Sequence, residues 1–212
     1  MKSYRLYLFD FDYTLVNSEA AILKCFHITL EKTGLPPRSD DEIRRTIGLP
    51  MLDAIKRIIH SSDDALARRF LAVYKKEADR YMTDGTYFYP DTVGTLQTLR
   101  AHGAKIGIIS SKTRSRIEET FQGDSAGLVD RIIGSEDVAA HKPDPEGIKK
   151  ALDWFAVPAS ETLYTGDSYV DAGAAQNAGV DFAAVTTGTT GAETFQSYPH
   201  VAILPRLSGL LP

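Results

Sequence analysis

Arg5-Leu6-Tyr7-Leu8-Phe9-Asp10-Phe11-Asp12-Tyr13-Thr14 opens with a short apolar run that stops abruptly at a carboxylate. A run with no polar alternation reads as a strand buried on both faces, the kind found inside parallel sheets. Two carboxylates two residues apart at the end of such a strand repel each other. A hard divalent cation removes that conflict, and Mg²⁺ takes one or two carboxylates together with phosphate oxygens and water. The competing reading makes Asp10 and Asp12 a turn and a helix cap.

Downstream of this stretch the pattern is helical. Ser18 to Thr33 has helical apolar spacing and stops at Gly34, with Pro36-Pro37 behind it. Ser39 and Glu42 form a capping-box pair for a short helix. Met51 to His60 and Asp63 to Tyr81 give two more helices, with no convincing strand between residues 18 and 81. Beyond that the pattern alternates. Helices are expected over Asp91–His102, Thr113–Gln122, Asp144–Phe155 and Asp171–Ala178. Strands are expected at Lys105–Ile109, Arg131–Ile133, Thr162–Thr165, Phe182–Val185 and Val201–Leu204. Such alternation implies parallel pairing through right-handed crossovers. The expected fold is therefore an open α/β parallel sheet, with residues 1–16 and 85–212 as its core. An all-helical unit at 17–84 is inserted after the first strand.

Ligands of open α/β sheets bind beyond the carboxyl ends of the strands. Three polar clusters fall at such ends: Asp10 with Asp12, Ser110 with Ser111, and Asp167 with Asp171. Hydroxyls and N–H groups around Ser110 suit a phosphoryl oxygen, although serine before a helix is also an ordinary cap. Lys142 lies in His141-Lys142-Pro143-Asp144-Pro145, where two prolines stiffen a loop able to hold an ammonium near developing charge; an exposed loop lysine is the plainer alternative. Asp167 and Asp171 stand one helical turn apart, as ligands or as acids favoured by a helix start.

The 212 residues are 43% hydrophobic and 25% charged, with a net formal charge of −4. That balance carries no electrostatic footprint for nucleic acid. No apolar run approaches the roughly 20 residues of a membrane span, and charged Asp10 and Asp12 come too early for a signal-peptide core. Cys25, the single cysteine, reads as a small buried hydrophobe. A cytoplasmic monomer or homodimer is expected. No Walker loop, dinucleotide fingerprint or nucleophile elbow occurs.

Taken in order, these pieces resemble the haloacid dehalogenase-like hydrolase superfamily over nearly the whole chain. Its four signatures match Asp10-Phe11-Asp12-Tyr13-Thr14-Leu15, Ser110, Lys142-Pro143, and Gly166-Asp167-Ser168 with Asp171. The helical insertion looks like the C1 cap of phosphoglycolate phosphatase-like members, and Ile47-Gly48-Leu49-Pro50 is similar to that subgroup. The resemblance implies a Rossmann-like three-layer core and a Mg²⁺-dependent phosphatase acting on a small, phosphoglycolate-like phosphate monoester. Inorganic pyrophosphatase and a β-phosphoglucomutase-type phosphomutase are the alternatives on the same core. It further implies that Asp10 attacks phosphorus and forms an aspartyl-phosphate, and that Asp12 serves as acid and base. Ser110 and Lys142 would hold the transferring group. Asp10, Asp167 and the carbonyl of Asp12 would bind the metal, with Asp171 in support. Retention of Asp12 favours phosphate-ester chemistry over carbon–halogen cleavage, because dehalogenases lack that aspartate.

Two positions depart from the pattern. Tyr13 stands where glycine is common, and Ser111 where asparagine is frequent. The candidate substrate-binding residues are Thr14, Ser111, Tyr13 and Arg45, the last as the cap cation nearest Gly48. Arg44, Lys56 and Arg57 are further cap cations; for each of the four, a solvated helix face is the plainer reading.

Overall fold

Leu6–Phe9 forms β1, and all four residues are buried. The computed structural model describes residues 2–211; Met1 and Pro212 lie outside it. The chain then runs through β2 (Val16–Asn17), α1 (Glu19–Lys32), α2 (Asp40–Arg44), α3 (Met51–Ile59), α4 (Asp64–Tyr81) and β3 (Tyr87–Phe88). Next come α5 (Thr92–Ala101), β4 (Lys105–Ile109), α6 (Arg114–Glu118), β5 (Arg131–Ile133) and α7 (Glu146–Phe155). The last elements are β6 (Thr162–Gly166), α8 (Tyr169–Ala178), β7 (Asp181–Val185), α9 (Ala192–Phe195) and β8 (Ala202–Leu204).

Six strands make one sheet in the order β5-β4-β1-β6-β7-β8, every pair parallel. β1 is thus interior, between β4 and β6. Its side chains alternate across the sheet, as a pleated strand requires. Tyr7 and Phe9 join a core with Leu96 and Leu99 of α5 and Ile117 of α6. Leu6 and Leu8 face the opposite layer, with Ile148 and Ala151 of α7 and Ala172 and Ala175 of α8. This is the three-layer α/β architecture expected from the alternating pattern.

Helices α1 to α4 enclose a third apolar cluster, built on Phe26, Leu30, Ile43, Ile55, Phe70 and Tyr74. Phe26 packs on Tyr74 with ring centroids 4.8 Å apart. Cys25 is fully buried in this cluster. α2 opens on the Ser39/Glu42 capping box. The chain enters and leaves this helical unit through β2 and β3, which pair antiparallel with Val16 opposite Phe88. That two-residue ribbon has no periodic signature and was not expected.

Some bounds also moved. The helix expected over 113–122 closes as α6 at Glu118. The chain then turns so that Phe121 meets Phe11 at 6.3 Å and Phe88 at 5.1 Å. α7 begins two residues later than read from sequence, and α9 was missed. None of the described helices is long and apolar enough to cross a membrane.

Candidate active site

β1, β4 and β6 end side by side, and that adjacency brings distant residues together. Asp10 follows β1 and is anchored by its N–H to the Thr165 carbonyl of β6 at 2.9 Å. Lys142, from the loop before α7, reaches under it. Its Nζ donates to Asp10 Oδ1 at 2.7 Å, to Asp171 Oδ1 at 2.6 Å and to Tyr164 Oη at 3.2 Å. The ammonium is almost wholly buried. The stiff loop of the sequence reading therefore delivers a structural counter-charge, not a solvated lysine.

Carboxylate oxygens of Asp10, Asp167 and Asp171 lie within 4.8 Å of one another, all three residues buried. One lysine cannot neutralise three carboxylates. Burial pushes the Asp10 carboxyl up to about 7; Lys142 opposes that rise and Asp171 adds to it. Burial, with Asp171 and Asp10 as neighbours, also drives Asp167 well above the usual carboxylate range. Burial works against the charge on Lys142, yet Asp10 and Asp171 hold its pKa above the ordinary value. This donor set, hard oxygens with uncompensated negative charge, fits a divalent cation such as Mg²⁺.

The three acids are not equivalent. Asp171 Oδ1 accepts from Lys142 and Tyr164, and Oδ2 accepts from Ser168. Both its oxygens are already held, so it orients Lys142 and closes the capping box of α8. Among the described residues Asp167 has only Thr14 Oγ1, at 3.1 Å on Oδ1. A Cβ on Gly188 would collide with the Asp167 carboxylate, so the backbone approaches there as only glycine allows. Asp12 turns away from this cluster; its part in the expected metal set was its backbone carbonyl alone.

The Asp12 side chain meets two donors, and both fall on Oδ1. Ser18 Oγ donates at 2.5 Å and Lys112 Nζ at 2.7 Å. That leaves Oδ2 without a hydrogen-bond partner among the described residues, on a residue that lines the cavity above Asp10. Neither partner was found from sequence. The signals were present: Ser18 is the residue before α1, and Lys112 stands two residues past Ser110.

Ser110 Oγ accepts the Lys112 N–H at 3.2 Å, leaving its own proton to donate. Its N–H is committed to Ile133 in the sheet, and the first N–H of α6, on Arg114, is taken by Glu136. The hydroxyl therefore remains as a donor at this strand end, while the N–H groups of Ser110 and Arg114 are already taken.

A cavity of about 250 Å³ opens above Asp10, Asp12 and Ser110, roofed by the helical unit. Ser111 lines it but donates its hydroxyl to the Gly48 carbonyl at 2.8 Å, tying strand end to cap loop. The other three substrate-binding candidates do not line it. Thr14 is turned to Asp167. Tyr13 is buried with its hydroxyl on Glu19 Oε2 at 2.6 Å. It sits at φ 62°, the left-handed region that glycine enters freely. Its side chain costs about 1 kcal/mol there, offset by burial and the bond to Glu19.

Arg45 is exposed and is not among the residues that line the cavity, as helix phase accounts for. α2 buries Ile43; two residues on, at about 100° per residue, Arg45 faces solvent. Three residues on, Thr46 comes round to the cavity wall. Arg44 is bound to Glu19 and Asp41, and Lys56 to Asp64. Among the described residues the cations lining the cavity are Lys75, Lys112 and Arg116.

Residues 7–185 match the family model described as haloacid dehalogenase-like hydrolase. A phosphoglycolate phosphatase from Rhodobacter capsulatus is 31% identical over 209 residues, covering 96% of this chain and 93% of that one. The pyrophosphatase PpaX of Bacillus velezensis is 28% identical over 205 residues, with the same two shares. A crystal structure described as a haloacid dehalogenase-like hydrolase from Bacteroides fragilis superposes with a TM-score of 0.95 at 44% identity, covering 99% of this chain and all of that one. The chain belongs to the haloacid dehalogenase-like hydrolase family.

Proposed function

We propose that the protein is a Mg²⁺-dependent phosphatase that hydrolyses a small phosphate monoester through an aspartyl-phosphate on Asp10. The observation that carries this is the buried Asp10 carboxylate, fixed by Lys142, with Asp12 two residues on lining the same cavity. Lys142 holds one Asp10 oxygen and so fixes the plane of the nucleophile. Asp12 Oδ2 delivers a proton to the leaving oxygen and later takes one from the attacking water. Ser110 Oγ donates to a phosphoryl oxygen. Asp10 and Asp167, with the Asp12 carbonyl, would hold Mg²⁺, which when bound neutralises phosphoryl charge. Acceleration then comes mainly from alignment and preorganised charge.

The test is phosphate release from a panel of phosphate esters and pyrophosphate, with and without Mg²⁺. Turnover that requires Mg²⁺ is expected. A folded, metal-binding protein with no turnover on any member would overturn the proposal. Isomer interconversion without net phosphate release would replace it with the mutase alternative.

Metal removal has a signed effect on stability. Asp10 rises from 3.8 to about 7 on folding, and Asp167 moves the same way. The folded metal-free protein therefore binds protons more readily than the unfolded chain. Its stability is fullest below about pH 4 as far as these groups are concerned and is lost as pH rises through 7. That loss is on the order of 1 to 4 kcal/mol. Thermal melts in EDTA should show Tm falling between pH 5 and pH 8. Saturating Mg²⁺ should restore it at pH 8, by about 2.7 kcal/mol at a hundredfold excess over Kd, and do far less at pH 5. A Mg²⁺ shift that is larger at pH 5 would contradict the assigned cluster.

A further inference from the structure

We infer that the leaving group of the natural substrate is an apolar body of about ring size, an alkyl or aryl group, and not a second anion. The inference rests on the phosphatase reading and names its substrate class.

The cavity above Asp10 is continuous with Ser110 and Asp12, so whatever fills it is attached to the oxygen that Asp12 protonates. Its roof is apolar. Ile22 and Phe26 of α1, Met51 of α3, Leu71 of α4, and Leu49 and Met82 in the flanking loops face it. An apolar cavity of about 150 Å³ suffices for benzene. The 250 Å³ here accommodates a phosphoryl group and a body of that size.

The charges on the wall do not favour an anionic leaving group. Lys112 is paired with Asp12, and Arg116 with Asp79 and Glu119. Lys75 has no carboxylate partner among the described residues, but it is exposed at the rim. A carboxylate or second phosphate placed against Phe26, Leu71 and Met82 would lose its hydration, and Lys75, the cation left to meet it, is itself exposed to solvent. An alkyl chain there leaves water and gains packing. The apolar roof therefore selects esters by the hydrophobic part of the alcohol.

The experiment is kcat/KM with Mg²⁺ for methyl, propyl and pentyl phosphate, whose leaving oxygens are chemically alike, set against phosphoglycolate and pyrophosphate. Each added methylene is expected to raise kcat/KM roughly two- to fourfold, and pentyl phosphate should exceed both competitors, whose leaving groups are themselves anionic. Leu71→Asn and Leu49→Ser, on different elements of the roof, should each flatten the chain-length series, lowering kcat/KM far more for pentyl than for methyl phosphate. The corresponding alkyl phosphonates, as inhibitors or as ligands in thermal melts, should follow the same order without needing turnover. A flat series, or phosphoglycolate or pyrophosphate above pentyl phosphate, overturns this inference and leaves the phosphatase reading standing. No turnover of any ester, with phosphonate binding still rising along the series, sinks the phosphatase reading and keeps the pocket assignment. Neither turnover nor graded binding sinks both.

Discussion

Asp10→Asn is expected to remove turnover by a factor on the order of 10⁴ or more while leaving the fold intact and the metal-free protein at least as stable. The two effects have opposite signs for physical reasons. An amide has the size and shape of the carboxylate, and the Asp10 N–H to Thr165 bond is backbone, so the local structure has no cause to change. Lys142 keeps Asp171 as its ion partner. Burial holds the Asp10 carboxyl at about 7, so at pH 8 the wild-type group is charged in a place that disfavours charge; the amide removes that cost. Phosphate release, thermal melts in EDTA and melts with Mg²⁺ check the three parts together. Turnover should vanish, the EDTA melt should hold or rise, and the Mg²⁺ shift should shrink because a ligand oxygen is lost. Turnover within tenfold of wild type would end the nucleophile assignment. A large fall in the EDTA melt would mean that Asp10 is structural.

The parts of this architecture legible in the sequence are those where a physical signal is local. Leu6 to Phe9 is apolar at every position, which only a strand covered on both faces tolerates. Ser39/Glu42 is a cap pair spaced within one helical turn, and it forms as a box. The strand ends that carry Asp10, Ser110 and Asp167 follow from the same logic. The sequence was silent where the determinant is non-local. β2 and β3 have two residues each and exist only through pairing across about 70 positions of chain. Lys112 reaches Asp12 from 100 residues away, and no spacing rule connects them. Arg45 was favoured by proximity to Gly48 along the chain, yet helix phase turned it to solvent and brought Thr46 inward. Tyr13 was an oddity by residue type; its meaning, a left-handed turn stabilised through Glu19, needed coordinates.

Lys142→Met is expected to lower both activity and stability, in contrast to Asp10→Asn. The lysine stem fills buried space that methionine nearly matches, so the change isolates the charge. Without it, Asp10, Asp167 and Asp171 share a buried site with no cation. Removing one partner of a buried ion pair costs roughly 3–5 kcal/mol. For a chain of this length that lowers Tm by on the order of 10 °C. Turnover should fall by roughly 10³-fold, since the Asp10 plane is no longer fixed and phosphoryl charge loses a neighbour. Mg²⁺ should recover part of the stability, because the metal supplies the missing positive charge, but not the turnover. The decisive comparison is the double variant. Asp171→Asn alone leaves Lys142 with Asp10 and should cost little by comparison. If Lys142 acts chiefly as counter-charge, Lys142→Met with Asp171→Asn should be more stable than Lys142→Met alone, since one unpaired carboxylate has gone. A coupling of 0.5–3 kcal/mol in that sense is the size found for residues in contact. Costs that simply add would show that the loss comes from packing around the methionine, and the charge-balance account of the site would fail.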